Sequence, residues 1–203
     1  MSLIKSCFYV FVVVLVILFL YSYHSLFAKN DFKALPLYEV VQGQSFSAVV
    51  HDLSAYHVIQ SSTLLKLYAF LVGADSKLHV GEYAFTPPMS PSDVLNVLIQ
   101  GKVIYREVSF IEGTRFIDNF HKIRGLTNIN KTLSSISALQ AKMQQVFGVD
   151  GSLEGLFYAD TYKYSSTNSD WDIWRQAYLR LQQTLDSLWG KRQANLPYAN
   201  SYQ

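Results

Sequence analysis

Apolar and polar positions alternate along this chain in three different ways, and each predicts a different kind of element. From Ser6 to Ala28 there is no charged side chain, and Phe8 to Tyr21 (FYVFVVVLVILFLY) is almost wholly apolar. About 20 such residues, at 1.5 Å rise each, cross a hydrocarbon core of roughly 30 Å. Further on, apolar residues recur at helical spacing. Phe46, Val49, Val50 and Leu53 follow a capping serine, Ser45. Leu64, Leu67, Tyr68 and Leu71 form one stripe of a helix predicted over 63–72. Val94, Leu95, Leu98 and Ile99 follow Ser90 and Pro91, a good helix start because proline lacks only an N–H that would be unpaired there. Short alternating runs predict strands at LYEVVQG, GEYAFTPP and KVIYREVSFIEG.

Beyond residue 110, TRFIDNFHKI predicts a helix capped by Thr114, and SALQAKMQQVFG a second. The clearest helix comes last. Ser169 and Asp172 match a capping box, and Trp174, Ala177, Tyr178, Leu181, Leu185, Leu188 and Trp189 form a broad apolar stripe ending near Gly190. NLPYANSYQ then opens a segment that does not continue, so this stripe is expected to leave Leu and Trp side chains exposed and residues 111–203 loosely packed. Residues 37–103 are expected to be stable. The fold class is α+β, with short strands and predominant helix.

The apolar segment reads as an uncleaved anchor. A cleavage site needs small residues at −3 and −1, and Ala28 would have Leu26 as its −3 partner. A short head and a long polar tail favour the amino end in the cytoplasm. The sole cysteine, Cys7, lies in this segment, so residues 30–203 form no internal disulfide and hold no Cys-based zinc. His51, His57, His79 and His121 have no metal-ligand spacing, so no metal or cofactor is expected. A net charge of +2 without a basic block gives no reason to expect nucleic acid.

Candidate chemistry concentrates in LEGLFYADTY, residues 153–162. Glu154 and Asp160 flank a turn among aromatics. Their carboxylates either accept backbone N–H bonds that hold the turn, or join Tyr158 and Tyr162 in one wall of a sugar cleft, where ring faces pack against pyranose C–H groups. Glu112 is placed to cap or to pair with Arg115. Trp171, Trp174 and Trp189 are expected in the core, with a cleft role open for Trp171.

Residues VVQGQSFSAVVHDL resemble the opening of a LysM-type glycan-binding module. The order GEYAFTPPMSPSDVLNVLIQGKV, FIEGTRFIDNF, LEGLFYADTYKYS, a long aromatic helix and NLPY resembles the MltG (YceG-like) family over roughly residues 37–200. The family comprises membrane-anchored endolytic murein transglycosylases. The resemblance implies a single-pass inner-membrane protein with its bulk in the periplasm. Residues 1–28 would be a cytoplasmic stub and anchor, 29–36 a linker, 37–103 a LysM-like subdomain, and 104–203 the first part of a YceG-like catalytic domain. It implies cleavage of glycan strands between N-acetylmuramic acid and N-acetylglucosamine, with a 1,6-anhydro product. A glutamic acid would first protonate the bridging oxygen, then assist the sugar's own 6-hydroxyl.

That glutamate belongs to a helix following the NLPY region, which the resemblance places beyond Gln203. No glutamate here matches it, so no catalytic residue is assigned and the 203-residue chain is expected to be inactive, as an interrupted enzyme. Ala159 also stands where the family has proline. The alternative is a non-catalytic, membrane-anchored peptidoglycan-binding or scaffold protein. Peptidoglycan strands, the membrane through residues 6–28 and cell-wall synthesis proteins are the candidate partners.

Overall fold

The computed structural model describes residues 2–193 and 197–202, with side chains from residue 6 onward. Asn195 and Leu196 of the NLPY segment lie outside the described residues. The order is α1 (Ser2–Phe27), β1 (Leu35–Val40), α2 (Phe46–Ala55), α3 (Ser62–Leu71), β2 (Gly81–Phe85), α4 (Pro91–Ile99), β3 (Arg106–Ser109), α5 (Phe116–Arg124), α6 (Ile136–Phe147), β4 (Thr161–Tyr164) and α7 (Asp170–Trp189). This is a mixed α+β chain, dividing into two units between Ile104 and Tyr105.

In the first unit, β1 and β2 pair antiparallel, with Tyr38 opposite Tyr83 and Val40 opposite Gly81. The register slips between Leu35 and Tyr38, where Pro36 has no N–H to give the ladder. Val49, Val50 and Leu53 of α2, and Val94, Leu95 and Leu98 of α4, close over Tyr83 and Phe85 in one core. Ser45 accepts the Ala48 amide to start α2, and Ser90 with Asp93 forms a reciprocal capping box at α4. The Tyr38 hydroxyl donates to Asp52 at 3.1 Å. Burial foremost, then that carboxylate, pushes the phenol up to about 12.

Two expectations in this unit need correction. The face of α3 that enters the core carries Leu65 and Ala69; Leu64 and Tyr68 are half-buried, while Leu67 and Leu71 face outward. The helix is apolar nearly all round, so periodicity alone does not identify the buried side. The long strand expected over KVIYREVSFIEG is reduced to β3. Residues 101–104 instead turn off the end of α4, with Lys102 donating to Val97 O and Ile104 to Glu82 O.

The chain between α1 and β1 is tied to this unit. Leu26 is buried in its core, and Asn30 exchanges backbone hydrogen bonds with Met89 and accepts from Gln60. Residues Ser6–Phe27 of α1 are long and apolar enough to span a membrane, and Phe8 to Tyr21 present their side chains outward.

In the second unit, β3 and β4 pair antiparallel from Arg106 opposite Tyr164 to Ser109 opposite Thr161. The core centres on Trp174 of α7. The rings of Phe110, Phe116, Phe120 and Phe157 lie 4.5–6.3 Å from it, centroid to centroid, spacings at which aromatic pairs add to plain burial. The capping box at Ser169 and Asp172 forms as its sequence pattern predicts. Of the stripe on α7, Trp174 and Ala177 are buried. Tyr178, Leu181, Leu185 and Trp189 are half-buried, and Leu188 is exposed. The amino-terminal half of the helix therefore belongs to a packed core, and exposure is confined to its far end.

The start of α7 is held by a group that pattern reading missed. Asp170, buried, accepts the Thr132 amide and hydroxyl and the Trp171 amide on one oxygen, and the Leu133 amide on the other. It joins a loop 38 residues earlier to the start of the helix.

Candidate functional site

Past Ser109 and Thr161 the two strands of the second unit run out into loops that stay side by side. Phe110 N donates to Asp160 O at 2.9 Å, one step beyond the ladder. The first loop, 111–115, leads into α5; the second, 150–160, leads into β4. A cavity of about 340 Å³ lies where these loops meet the start of α5. This is toward the small end of ligand pockets, which run about 300–1,000 Å³. Phe110, Phe116 and Phe157 are among its lining residues, and the same three rings pack on Trp174, so the aromatic wall is fixed by the core.

The rim carries two Glu-Gly pairs, Glu112-Gly113 and Glu154-Gly155. Both glycines have left-handed backbones, at φ +77° and +78°, which other residues adopt only with strain. This lets each loop reverse beside the cavity. The carboxylate of Glu154 reaches across to α5, and both its oxygens lie within 3.1 Å of the Phe116 amide they accept from. It satisfies one of the amides that a helix start leaves unpaired. The residue at the N-cap position, Arg115, makes no side-chain cap bond.

Thr114, expected to cap α5, falls one residue early. Its hydroxyl donates to Ile111 O at 2.7 Å and accepts from Asn119 Nδ2 at 3.1 Å. Glu112 lines the cavity. Arg115 pairs instead with Asp118 through two 3.0 Å hydrogen bonds, because a residue three positions ahead on a helix start is the nearer partner. This pairing holds Asp118 below its ordinary value and Arg115 above its own.

Asn119 was not singled out by sequence reading. It is buried, lines the cavity and gives its amide N–H to Thr114, while its Oδ1 has no hydrogen-bond partner among the described residues. Buried acceptors without partners are rare. The repeated Glu-Gly in FIEG and LEG was the available signal for this site; nothing in the sequence distinguished Asn119 or Phe157.

The four residues proposed as one wall are divided between two places. Glu154 faces the cavity just described. Asp160 and Tyr162 border a separate, more open depression with Gln176 and Arg180 of α7. There Asp160 accepts its neighbour's amide, Thr161 N, at 2.7 Å and lies 3.7 Å from Arg180 Nε. The buried Tyr162 hydroxyl donates to Tyr158 O at 2.5 Å, and burial first, then the Asp160 charge, raises its pKa. Tyr158 donates its amide to Ala177 O and stands under the Arg180 guanidinium, 6.0 Å from the ring centre. The division follows from the loop before β4: Glu154 lies in the turn at Gly155 that faces α5, while Asp160 and Tyr162 lie at the start of β4 beside α7. Trp171 packs on Phe147 and under Lys142, away from the residues of either depression. Among the described residues no group of His, Cys, Asp and Glu is placed to hold a metal ion.

Both depressions, the Glu-Gly rim and the β3–β4 ladder fall within the stretch matched by one family model, that of the YceG-like family, over residues 38–203. The chain belongs to the YceG-like family. A solved yceG-like protein from Listeria monocytogenes is similar at 17% identity and a TM-score of 0.35, over 78% of this chain and 59% of that one. This chain therefore spans less than two thirds of that YceG-like protein's length. Comparison with the curated proteins gives no match.

Proposed function

We propose that this YceG-like chain holds peptidoglycan glycan strands at the outer face of the inner membrane, in the manner of an endolytic murein transglycosylase. The cavity at the start of α5 is its strand-binding site. One observation carries the reading: an aromatic wall of Phe110, Phe116 and Phe157 beside a rim of acceptors, Glu112 and Glu154, with Asn119 behind it. Flat ring faces suit the C–H side of a pyranose, and carboxylates accept from its hydroxyls and acetamido N–H. The β1-α2-α3-β2 order of the first unit supports a LysM-like glycan module, and the apolar α1 supports single-pass anchoring with the two units in the periplasm.

Glu154 and Asp160 are suited to grip rather than to proton donation. Both oxygens of Glu154 are directed at the Phe116 amide, and Asp160 is held by its own loop beside Arg180. A general acid needs its proton within hydrogen-bond reach of the scissile oxygen. Of the two, Glu154 borders the strand-binding cavity, and the bond-breaking acid of the family reaction is assigned to neither. That occupancy favours, as a second reading, a peptidoglycan-binding protein without chemistry of its own.

Incubation of the 203-residue chain with purified murein separates the readings. Sedimentation with the murein and no 1,6-anhydromuropeptides by mass spectrometry is the expected result. Anhydro products would return the acid to this chain, and absence of co-sedimentation would overturn the binding proposal.

A further inference from the structure

We infer that the outward stripe of α3 — Leu67, Phe70 and Leu71 — lies in the bilayer interface beside the anchor and forms a second, peripheral lipid contact. This rests on the reading of α1 as a membrane span.

The three residues are 54%, 70% and 72% exposed, and they share one helical face at i, i+3 and i+4. A contiguous apolar face of this kind marks an interaction surface. Its position identifies the occupant. The 22 residues Ser6–Phe27 make about 33 Å of helix, slightly more than a hydrocarbon core. Its last turns change character, from LFL to YSYHSLF. Tyr21 and Tyr23 are amphipathic rings at the depth where aromatic residues gather in membrane proteins.

From that level a chain of rings leads to α3. The Tyr23 and Phe27 centroids are 4.9 Å apart, and Phe27 meets Tyr68 of α3 edge to face at 5.6 Å. Tyr68 is on the same side of α3 as Leu71, three residues on. Leu26, one residue from Phe27, is buried in the core of this unit, so α3 is held at the exit of the span rather than swinging on a tether.

Charge within α3 does not oppose a lipid surface. Helix α3 carries no acid and one lysine, Lys66, and Lys29 and Lys33 follow the span. Asp31 stands between those two lysines and Asp75 follows α3, so the helix itself, with an apolar outer face and a single cation, has no charge that opposes lying in the plane of an interface. The two-sided apolar pattern that confused the reading of α3 then has a reason: Leu65 and Ala69 serve the core, and the opposite stripe serves the bilayer.

The test uses the full chain with Cys7→Ser, reconstituted in liposomes of phosphatidylethanolamine and phosphatidylglycerol. Nitroxide labels are placed singly at Val14→Cys in the span, at Phe70→Cys and Leu71→Cys, and at His51→Cys on the exposed side of α2. Collision with oxygen against a water-soluble nickel chelate reports depth. Oxygen is expected to dominate at positions 14, 70 and 71, and nickel at 51. Nickel dominating at 70 and 71 with oxygen dominating at 14 would overturn this inference and leave the anchor standing; nickel dominating at 14 would overturn both. Labels at 70 and 71 shielded from both reagents would assign the stripe to a second copy or another protein, and would also overturn the lipid contact.

Discussion

Replacing Glu154 by alanine removes the side chain that accepts the Phe116 amide at the start of α5. Two contributions are lost: an accepted amide at a helix start, about 1 kcal/mol, and a negative charge at the positive end of a helix, about 0.3–1 kcal/mol. Because Glu154 is exposed, water replaces part of each, so roughly 1.5 kcal/mol is the expected cost. For a unit of this size that lowers the melting midpoint by roughly 6–12 °C. Glu154→Gln keeps an oxygen for the Phe116 amide and loses only the charge, so its loss is expected to be about half as large or smaller. All three tryptophans, Trp171, Trp174 and Trp189, are in α7, so tryptophan fluorescence on heating follows the second unit without interference from the first. A melt of Glu154→Ala that overlays the parent would refute the capping role, and the division between grip and catalysis would lose its structural basis.

Other substitutions probe the surrounding supports. Asp170→Ala strands the amides of Thr132 and Leu133 and is expected to cost about 3–4 kcal/mol in a urea titration followed by the same fluorescence. Gly113→Ala meets no atom but must adopt a left-handed backbone, for about 1–2 kcal/mol. Gly155→Ala is expected to lose a similar amount, because the Tyr202 hydroxyl 3.2 Å from its added carbon ends an exposed side chain that can move aside. In the first unit, backbone and side-chain hydrogen bonds from Ser90 hold Asp93 below the ordinary carboxylate value of 3.8. The stability from that depression is complete above the ordinary value and is lost as pH falls through the lower folded-state value. Denaturation followed by circular dichroism should therefore show a smaller acid-induced loss in Asp93→Asn than in the parent.

Where local chemistry alone decides, the amino-acid sequence was a good guide. Ser45, Ser90 with Asp93, and Ser169 with Asp172 begin helices because a short hydroxyl or carboxylate can reach an amide three residues on. The errors arose where a distant partner decides. Thr114 has the right side chain for a cap, but Glu154, 38 residues beyond the Phe116 amide it accepts from, takes that place. The orientation of α3 depended on which of two apolar faces met the sheet. Asp170 and Asn119 are ordinary polar letters until tertiary contacts bury them. At the candidate site the acidic and aromatic residues of LEGLFYADTY were legible as a group. Their division between two depressions was not, since it depends on how one loop leaves a strand. The family was legible from the order of its landmark segments.

The central claim is that the cavity at the start of α5 takes a glycan strand, and titration of short, uncrosslinked peptidoglycan glycan strands into the chain, followed by calorimetry, tests it most directly. Glu112 lies on the rim and makes none of the structural bonds described, so Glu112→Ala should keep the melting midpoint of the parent. Saturable binding by the parent, weakened at least severalfold in Glu112→Ala at unchanged stability, is the predicted result. No binding by the parent, or equal binding by both, would contradict the account.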